Sequence, residues 1–359
     1  MKGLLYLEDG SIFQGEGFGF PKTSVGELVF NTSMTGYQEI LTDPSYAGQI
    51  INFTYPLIGN YGIAESENES EKIHAFGAIA KHICFHPSNY KSVDTIDQWL
   101  FHQKVPGLFE MDTRAITRKI RKFGSMKCVL SNEGISIAQA KKLCDQTTLT
   151  QDYMKTAGTK DMVHIRGNGP KVCILDLGIK SSILEELKKR ECDLYLFPYK
   201  TTAEQLMSVK PDGLFLSNGP GNPQEADEAI REIQKLLSVL PIFGICMGHQ
   251  LLAHAVGGST YKMKYGHRGA NHGVFDKDTG CSSITSQNHG FAVDPESILL
   301  TGMEISHINL NDRTMEGMRH RSLPIFSVQF HPEASPGPND SSYLFDRFVT
   351  LMKGDKLYA

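Results

Sequence analysis

The feature that most constrains the fold is a change in sequence pattern at Lys171. From there, short continuous apolar runs such as KVCILDLG alternate with amphipathic stretches such as SSILEELKKR. A continuous apolar run is typical of a parallel strand buried on both faces, and strands that alternate with helices form βαβ units. The sequence after Lys171 therefore predicts an α/β fold with a doubly wound, mostly parallel sheet. In such sheets the functional residues lie at the carboxyl ends of the strands.

The sequence before this point has a different pattern, in which short apolar runs are separated by Gly, Pro and Asn. Turns are predicted at Asp9-Gly10 and Gly59-Asn60, and helices at IDQWLFHQ and at TRAITRKIRKFG, which ends at Gly124. Residues 147–169 are polar and aperiodic. We therefore predict a strand-rich α+β domain over residues 1–150, a linker over 151–169 and the α/β domain over 170–359.

Composition excludes several classes of protein. The formal net charge is −4, which gives no basic field to hold nucleic acid or anionic lipid. No apolar run approaches the roughly 18 residues that span a bilayer, and the N-terminal sequence has no signal-peptide pattern. The seven cysteines are scattered without a CxxC pair, which argues against a disulfide framework or a zinc site. We expect a cytoplasmic protein that binds neither nucleic acid nor membrane.

The stretch PIFGICMGHQLLAHAVGG contains a cysteine in a nucleophile-elbow pattern. A buried strand runs into Gly244, Cys246 and Gly248, and a helix leaves this turn. We predict a positive φ at Cys246, with glycine at 244 and 248 removing a clash between these two positions. The N-terminus of the helix would favour the reactive thiolate. A structural cysteine in a glycine-rich turn is the alternative, and the motif alone leaves both interpretations open.

A thiolate nucleophile needs a base and a group that orients the base. Near the C-terminus, the strand predicted at 324–330 is followed by His331 and Glu333. The strand would deliver His331 to the carboxyl edge of the sheet, where Glu333 could fold back and fix the imidazole tautomer. A surface histidine and glutamate at a strand end are the alternative interpretation.

Taken together, GICMGHQ and FHPE resemble the class I glutamine amidotransferases, and the resemblance covers about Lys171 to Phe348. This family has a Cys-His-Glu triad in this order, which implies that Cys246, His331 and Glu333 are catalytic. The motif LFLSNGPGNP, otherwise an ordinary glycine turn, matches the loop that helps to form the family's oxyanion hole. The second oxyanion donor would be the N–H of Met247.

The N-terminal part has a resemblance of its own. Residues 27–63 and 109–121 are similar to the domain found in the small subunits of carbamoyl phosphate synthetases. His272 and His289 lie near further matching motifs, and we interpret them as structural or substrate-framing. By motif position, the family resemblance implies that L-glutamine is bound by Ser45, Gly219, Gly221, Met247, Gln250, Asn288, Gly290 and Phe291.

The resemblance also implies the activity and the partner. The chain would hydrolyse L-glutamine through a cysteine thioester and pass ammonia to a large subunit. That subunit would use bicarbonate and two ATP to make carbamoyl phosphate for arginine and pyrimidine biosynthesis. No cofactor or metal is expected in this chain, whereas ATP and a divalent metal are expected on the large subunit. The chain has no GxxxxGK[ST] loop of its own.

Two other functions stay open from the sequence. The chain could supply ammonia to a different synthetase, or it could be a non-catalytic binding module on the same fold. The intact set of Cys246, His331 and Glu333 argues against the second alternative.

Overall fold

The computed structural model describes residues 2–149 and 152–354. The chain divides into two compact units, Met1–Gln151 and Asp152–Ala359, and each is described by itself. Among the described residues, no helix combines the length and the apolar character that crossing a membrane would require.

The N-terminal unit contains nine strands and four helices within residues 2–149. The strands are β1 (Lys2–Leu7), β2 (Ile12–Gly19), β3 (Thr23–Asn31), β4 (Gln49–Phe53), β5 (Leu57–Ile58), β6 (Gly77–Ile79), β7 (His82–Ile83), β8 (Pro106–Phe109) and β9 (Met126–Ser131). The helices are α1 (Tyr37–Thr42), α2 (Ile96–His102), α3 (Thr113–Phe123) and α4 (Ile137–Gln146).

Seven of these strands close into a barrel in the order β1-β2-β8-β6-β4-β3-β9. Closure removes the unpaired strand edges that would otherwise invite pairing with another chain. The predicted helices are confirmed: α2 covers the first of them, and α3 ends at Gly124, whose φ of 100° suits a residue without a side chain. The predicted turns at Gly10 and Gly59 both have φ of 85°.

The C-terminal unit contains ten strands and six helices within residues 152–354. The strands are β10 (Val163–Ile165), β11 (Lys171–Asp176), β12 (Asp193–Pro198), β13 (Gly213–Leu216), β14 (Ile242–Ile245), β15 (Thr260–Asp276), β16 (Ser282–Val293), β17 (Met303–Asn309), β18 (Met315–His320) and β19 (Ile325–Val328). The helices are α5 (Tyr153–Ala157), α6 (Ser181–Lys189), α7 (Ala203–Met207), α8 (Asp227–Gln234), α9 (Met247–Ala255) and α10 (Tyr343–Met352).

All ten strands belong to one sheet, in the order β10-β12-β11-β13-β14-β19-β18-β17-β15-β16. The five strands from β12 to β19 are parallel, as the sequence predicts. Beyond β19, the strands β18, β17, β15 and β16 continue the sheet in antiparallel pairing. The sheet is therefore mixed, with a parallel half and an antiparallel extension.

The parallel half is covered on both faces, as expected of a doubly wound sheet. In β11, Ile174 packs in a cluster with residues of α6 and α10. The next residue, Leu175, packs on the opposite face with residues of α7, α8 and α9. Because successive side chains of a strand point to opposite faces, a continuous apolar run serves both layers.

The segment that we predict as a linker contains regular structure. Helix α5 begins two residues after residue 151, which lies outside the described residues. Strand β10 pairs antiparallel with β12, with Val163 opposite Leu196. Asp176, at the end of β11, also accepts a hydrogen bond from the N–H of Thr159 at 2.8 Å.

Candidate active site

Cys246 lies in the turn between β14 and α9, with the strained backbone that the sequence predicts. Its φ is 53° and its ψ is −103°. A Cβ atom added at Gly244 would lie 2.8 Å from the backbone of Gly248, and one at Gly248 would lie 2.2 Å from the carbonyl oxygen of Leu216. Both contacts involve backbone atoms, which cannot easily move. The two glycines are therefore required for the sharp turn that presents the cysteine.

The thiol of Cys246 is buried beside strand β16. Its Sγ donates a weak hydrogen bond to the carbonyl oxygen of Asn288 at 3.5 Å. Its N–H donates to the carbonyl oxygen of Val328 at 2.9 Å, which fixes the turn to the end of β19. The side chain lies at the N-cap position of α9, where the helix dipole stabilises negative charge on sulfur.

His331 and Glu333 form a buried pair just beyond β19. Nδ1 of His331 and Oε1 of Glu333 are 2.7 Å apart, and both side chains are almost completely inaccessible. The N–H of His331 donates to the carbonyl oxygen of Ser286 at 2.9 Å, which joins this turn to β16. Since β14 and β19 are parallel neighbours, Cys246 and His331 emerge at the same edge of the sheet.

The charges of this pair stabilise each other. Burial lowers the pKa of His331, but the charge of Glu333 and interactions with Cys246 outweigh it and raise this pKa above its ordinary value. Burial raises the pKa of Glu333, but the charges of Lys180 and His331 hold it below its usual range. Nε2 of His331 is buried, and no group in the described parts of the chain meets it at hydrogen-bonding geometry. This nitrogen is therefore available for proton transfer.

Lys180 is a site residue that the sequence analysis did not assign. Its ammonium group lies 2.9 Å from Oε1 of Glu333 and donates to the carbonyl oxygen of Ala334 at 2.7 Å. Only 3% of the lysine side chain and none of the glutamate side chain is exposed, so this is a fully desolvated ion pair. Lys180 lies inside the motif DLGIKSSIL, but the sequence gives no signal that it pairs with a residue 153 positions away.

The glycine-rich loop after β13 lies at the same edge of the sheet. The hydroxyl of Ser217 accepts a hydrogen bond from the N–H of Leu177 at 2.9 Å and donates to the carbonyl oxygen of Asn218 at 2.8 Å. A Cβ atom at Gly219 would lie 2.4 Å from the carbonyl oxygen of Leu177. Gly221 has φ of 100° and open space around its Cα. The backbone of this loop is thus held close to β11 and left open at Gly221.

Five of the predicted glutamine-binding residues lie on the two elements next to Cys246, α9 and β16. Met247 and Gln250 are in the first turns of α9, while Asn288, Gly290 and Phe291 are consecutive or nearly consecutive residues of β16. Nε2 of Gln250 donates to the carbonyl oxygen of Phe291 at 2.9 Å, which ties the two groups together.

Ser45 belongs to the N-terminal unit, not to the unit that contains the other predicted residues. It lies in the short 3₁₀ turn Pro44–Tyr46, where its N–H donates to Oδ1 of Asp43 at 2.9 Å. Its predicted contact with glutamine stays a prediction.

A group of buried polar side chains lies behind β16. His267, His289 and Glu316 each offer an atom that could bind a metal ion, and these atoms lie within 4.8 Å of one another. However, protein groups already use them: Asp312 holds one nitrogen of His267, and Asn309 and Gln287 donate to Glu316. We therefore interpret this group as a hydrogen-bonded network.

The fold and this site define the class of the C-terminal unit, a class I glutamine amidotransferase domain. Residues 173–351 match the family model described as glutamine amidotransferase class-I. Residues 5–130 match the model described as the CPSase domain of the carbamoyl-phosphate synthase small chain.

Curated relatives extend the likeness over the full chain. The carbamoyl phosphate synthase small chain of Clostridium acetobutylicum is 58% identical over 351 residues, which cover 98% of this chain and 100% of the relative. That of Bacillus caldolyticus is 48% identical and covers 100% of both chains. The carbamoyl phosphate synthase pyrimidine-specific small chain of Bacillus subtilis is 48% identical, and the match covers 98% of this chain and 96% of that relative. The chain belongs to the carbamoyl phosphate synthase small-chain family.

Proposed function

We propose that this chain is the glutaminase subunit of a carbamoyl phosphate synthase, with Cys246 as nucleophile, His331 as general acid and base, and Glu333 as the group that orients His331. The observation that carries the proposal is the joint geometry of the site. The cysteine lies on a strained elbow at a helix N-terminus, and a buried histidine–glutamate pair follows the neighbouring parallel strand. This arrangement suits an acyl transfer through a covalent thioester.

The proposed reaction has two halves. The Cys246 thiolate attacks the carboxamide carbon of L-glutamine, and the C–N bond of the resulting tetrahedral adduct breaks. His331, protonated at Nε2, gives its proton to the departing nitrogen, so that ammonia leaves and a γ-glutamyl thioester remains. His331 then takes a proton from water, whose oxygen attacks the thioester carbon. The C–S bond breaks, glutamate is released and the thiolate is restored.

Two groups of backbone amides would stabilise the oxyanion of both adducts. One is the N–H of Met247, the first residue of α9, where the unpaired N–H groups of a helix point outward. The other is the loop at Gly219 and Gly221, which is packed against Leu177 at Gly219 and open at Gly221. Gln250, Asn288, Gly290 and Phe291 would hold the rest of the glutamine molecule, and the role of Ser45 rests on the family resemblance.

The partner and the setting belong to the same proposal. The ammonia would pass to a large subunit that carries ATP and a divalent metal and makes carbamoyl phosphate, while this chain would need no cofactor or metal. The product would serve arginine and pyrimidine biosynthesis in the cytoplasm. One relative, the small chain from Bacillus subtilis, has a name that specifies pyrimidine.

Chemical labelling of the full chain tests the nucleophile. We expect an alkylating agent to modify Cys246, and L-glutamine to protect it, because both reagents use the same thiolate. Cys281 is exposed and provides the internal control, since glutamine should not change its labelling. Peptide mapping by mass spectrometry measures both sites in one sample. Labelling of Cys281 alone, in a chain that releases no glutamate from glutamine, would favour a non-catalytic binding module.

A further inference from the structure

A ring of buried polar contacts joins four elements at the candidate site, one of which is β18. It connects the helix that follows the nucleophile, the strand that precedes the base and the strand predicted to bind glutamine. Its members are Gln250 in α9, Gln287, His289 and Phe291 in β16, Glu316 in β18, and Gln329 directly after β19. Except for the partly exposed Phe291, which takes part through its carbonyl group, all of these residues are buried.

One half of the ring runs along β16. Nε2 of Gln287 donates to Oε2 of Glu316 at 3.0 Å. Because this contact orients the amide of Gln287, the amide oxygen Oε1 lies toward His289, 3.0 Å from Nε2 of the imidazole. The other nitrogen of the imidazole lies 2.8 Å from the carbonyl oxygen of Phe291. Burial and the charge of His267 lower the pKa of His289. The neutral imidazole therefore donates to one of these two oxygens and lies in close contact with the other. Gln287 and His289 thus link the side chain of Glu316 to the backbone of Phe291, in the segment predicted to bind glutamine.

The other half returns through the catalytic elements. Nε2 of Gln250 donates to two oxygens, the carbonyl oxygen of Phe291 at 2.9 Å and Oε1 of Gln329 at 3.0 Å. The N–H of Gln329 donates to the carbonyl oxygen of Glu316 at 2.8 Å, which closes the ring. Since both amide hydrogens of Gln250 are used, its amide group can take one orientation.

Glu316 is the anchor of this ring. Its side chain is completely buried, and a buried carboxylate is costly unless it is paired and hydrogen-bonded. Nδ2 of Asn309 donates to its Oε1 at 2.8 Å, and Nδ1 of His267 lies 3.3 Å from the same atom. The other nitrogen of His267 lies 2.8 Å from Oδ2 of Asp312. Both carboxylate oxygens of Glu316 thus have partners, which restricts the movement of this side chain.

We propose that Glu316 and Gln287 are positioning residues for glutamine binding, and that they act by fixing the carbonyl group of Phe291 and the amide of Gln250. The inference rests on the proposed function and deepens it, because neither residue is among those predicted to touch glutamine. Binding groups that move by about 1 Å can cost up to a hundredfold in reaction rate or affinity. The ring should therefore affect the KM for glutamine more than the kcat of its hydrolysis.

Three variants of the full chain separate this role from simple packing. Glu316→Met and Gln287→Met keep the side-chain volume but open the ring, and we expect the KM for glutamine to rise about tenfold or more with kcat changed less than about threefold. Glu316→Gln should stay near the wild-type KM. In that variant the amide of Gln287 can turn over and accept from the new amide at position 316, Nε2 of His289 can accept from the amide of Gln287, and every contact of the ring is kept.

The measurement is steady-state glutaminase kinetics, with Glu304→Gln as the control. Glu304 lies in the neighbouring strand β17 and pairs with Arg319 and Arg321 near the surface, so its loss should leave the KM unchanged. Should Glu316→Met fail to fold, Gln287→Met decides the question.

A wild-type KM in Gln287→Met would overturn the inference, as would a Glu316→Gln variant that is as impaired as Glu316→Met. A fall in kcat at unchanged KM would do so as well. Failure of the proposed function has a different signature, because the wild-type chain would then release no glutamate, or Cys246→Ser would release it at the wild-type rate.

Discussion

The two halves of the C-terminal sheet contribute to the site in different ways. In the parallel half, the ends of β14 and β19 bring Cys246 and His331 to one edge through backbone topology alone. In the antiparallel extension, β16 carries the segment that we propose to bind glutamine, and buried side chains contact it. We therefore expect bond breaking to depend on the parallel half, and glutamine affinity to depend on the extension together with the loop after β13 and helix α9. Substitutions in the first should lower kcat, and substitutions in the second should raise KM.

The largest expected effect on this comparison comes from His331→Asn. Asparagine keeps a polar side chain at the end of β19 but cannot move a proton, so kcat for glutamine hydrolysis should fall by at least about 10³-fold. The KM should change much less, because no glutamine-binding contact is removed. Steady-state glutaminase assays give both constants. A large rise in KM at nearly constant kcat would contradict the division between the two halves of the sheet.

Glu333→Gln should cause a smaller loss of kcat than His331→Asn. In the proposed mechanism the glutamate, 2.7 Å from the imidazole, orients it and stabilises its charged form, while the proton itself moves through the histidine. We expect the loss to be about one to two orders of magnitude smaller than that of His331→Asn. Rapid mixing with glutamine separates thioester formation from its hydrolysis in both variants. Equal or reversed losses would show that the two roles are assigned wrongly.

Lys180→Met should have the smallest effect at neutral pH and should change the pH profile instead. Burial raises the pKa of Glu333, and Lys180 is the largest of the influences that lower it. A carboxylate whose pKa is lowered keeps its negative charge until the pH falls through that pKa. Below that pH it is protonated and no longer contributes to activity. Without Lys180 the pKa rises, so Glu333 takes up a proton at higher pH, and the acid limb of kcat/KM moves to higher pH.

At neutral pH the activity of Lys180→Met should stay within roughly tenfold of wild type, because His331 still pairs with Glu333. Lys188→Met, on the exposed side of helix α6, which begins directly after Lys180, is the matched control and should leave the acid limb unchanged. An unchanged acid limb in Lys180→Met would mean that the lysine only stabilises the fold.

The sequence predicts the local geometry around Cys246 better than the buried side chains that pack around the candidate site. The positive φ of Cys246 and the crowding of Gly244 against Gly248 follow from local sterics, and both are confirmed. Lys180 and Glu316 could not be assigned, because each meets its partner across a long stretch of chain. Their contacts depend on strand order and register, which a single sequence does not specify for the long β15–β16 pair and its bulges.

The same reasoning explains where the observed fold differs from the fold predicted from the sequence. Continuous apolar runs predict the parallel strands β11 to β14, and the structure confirms them. The antiparallel extension was not predicted, because its strands mix polar and apolar residues on both faces, and much of β15 and β16 is partly exposed. Polar residues that are buried in these strands, such as Gln287, look like surface residues in the sequence.

The central claim is that this chain only supplies ammonia, through Cys246, to a synthase partner. The most direct test reconstitutes the chain with the large chain of a carbamoyl phosphate synthase and compares wild type with Cys246→Ser, using glutamine or ammonium as the nitrogen source. Serine is similar in size but far less acidic, so glutamine-dependent synthesis of carbamoyl phosphate should be lost while ammonium-dependent synthesis is retained. Loss of both activities in an assembled complex, or retention of both, would contradict this account.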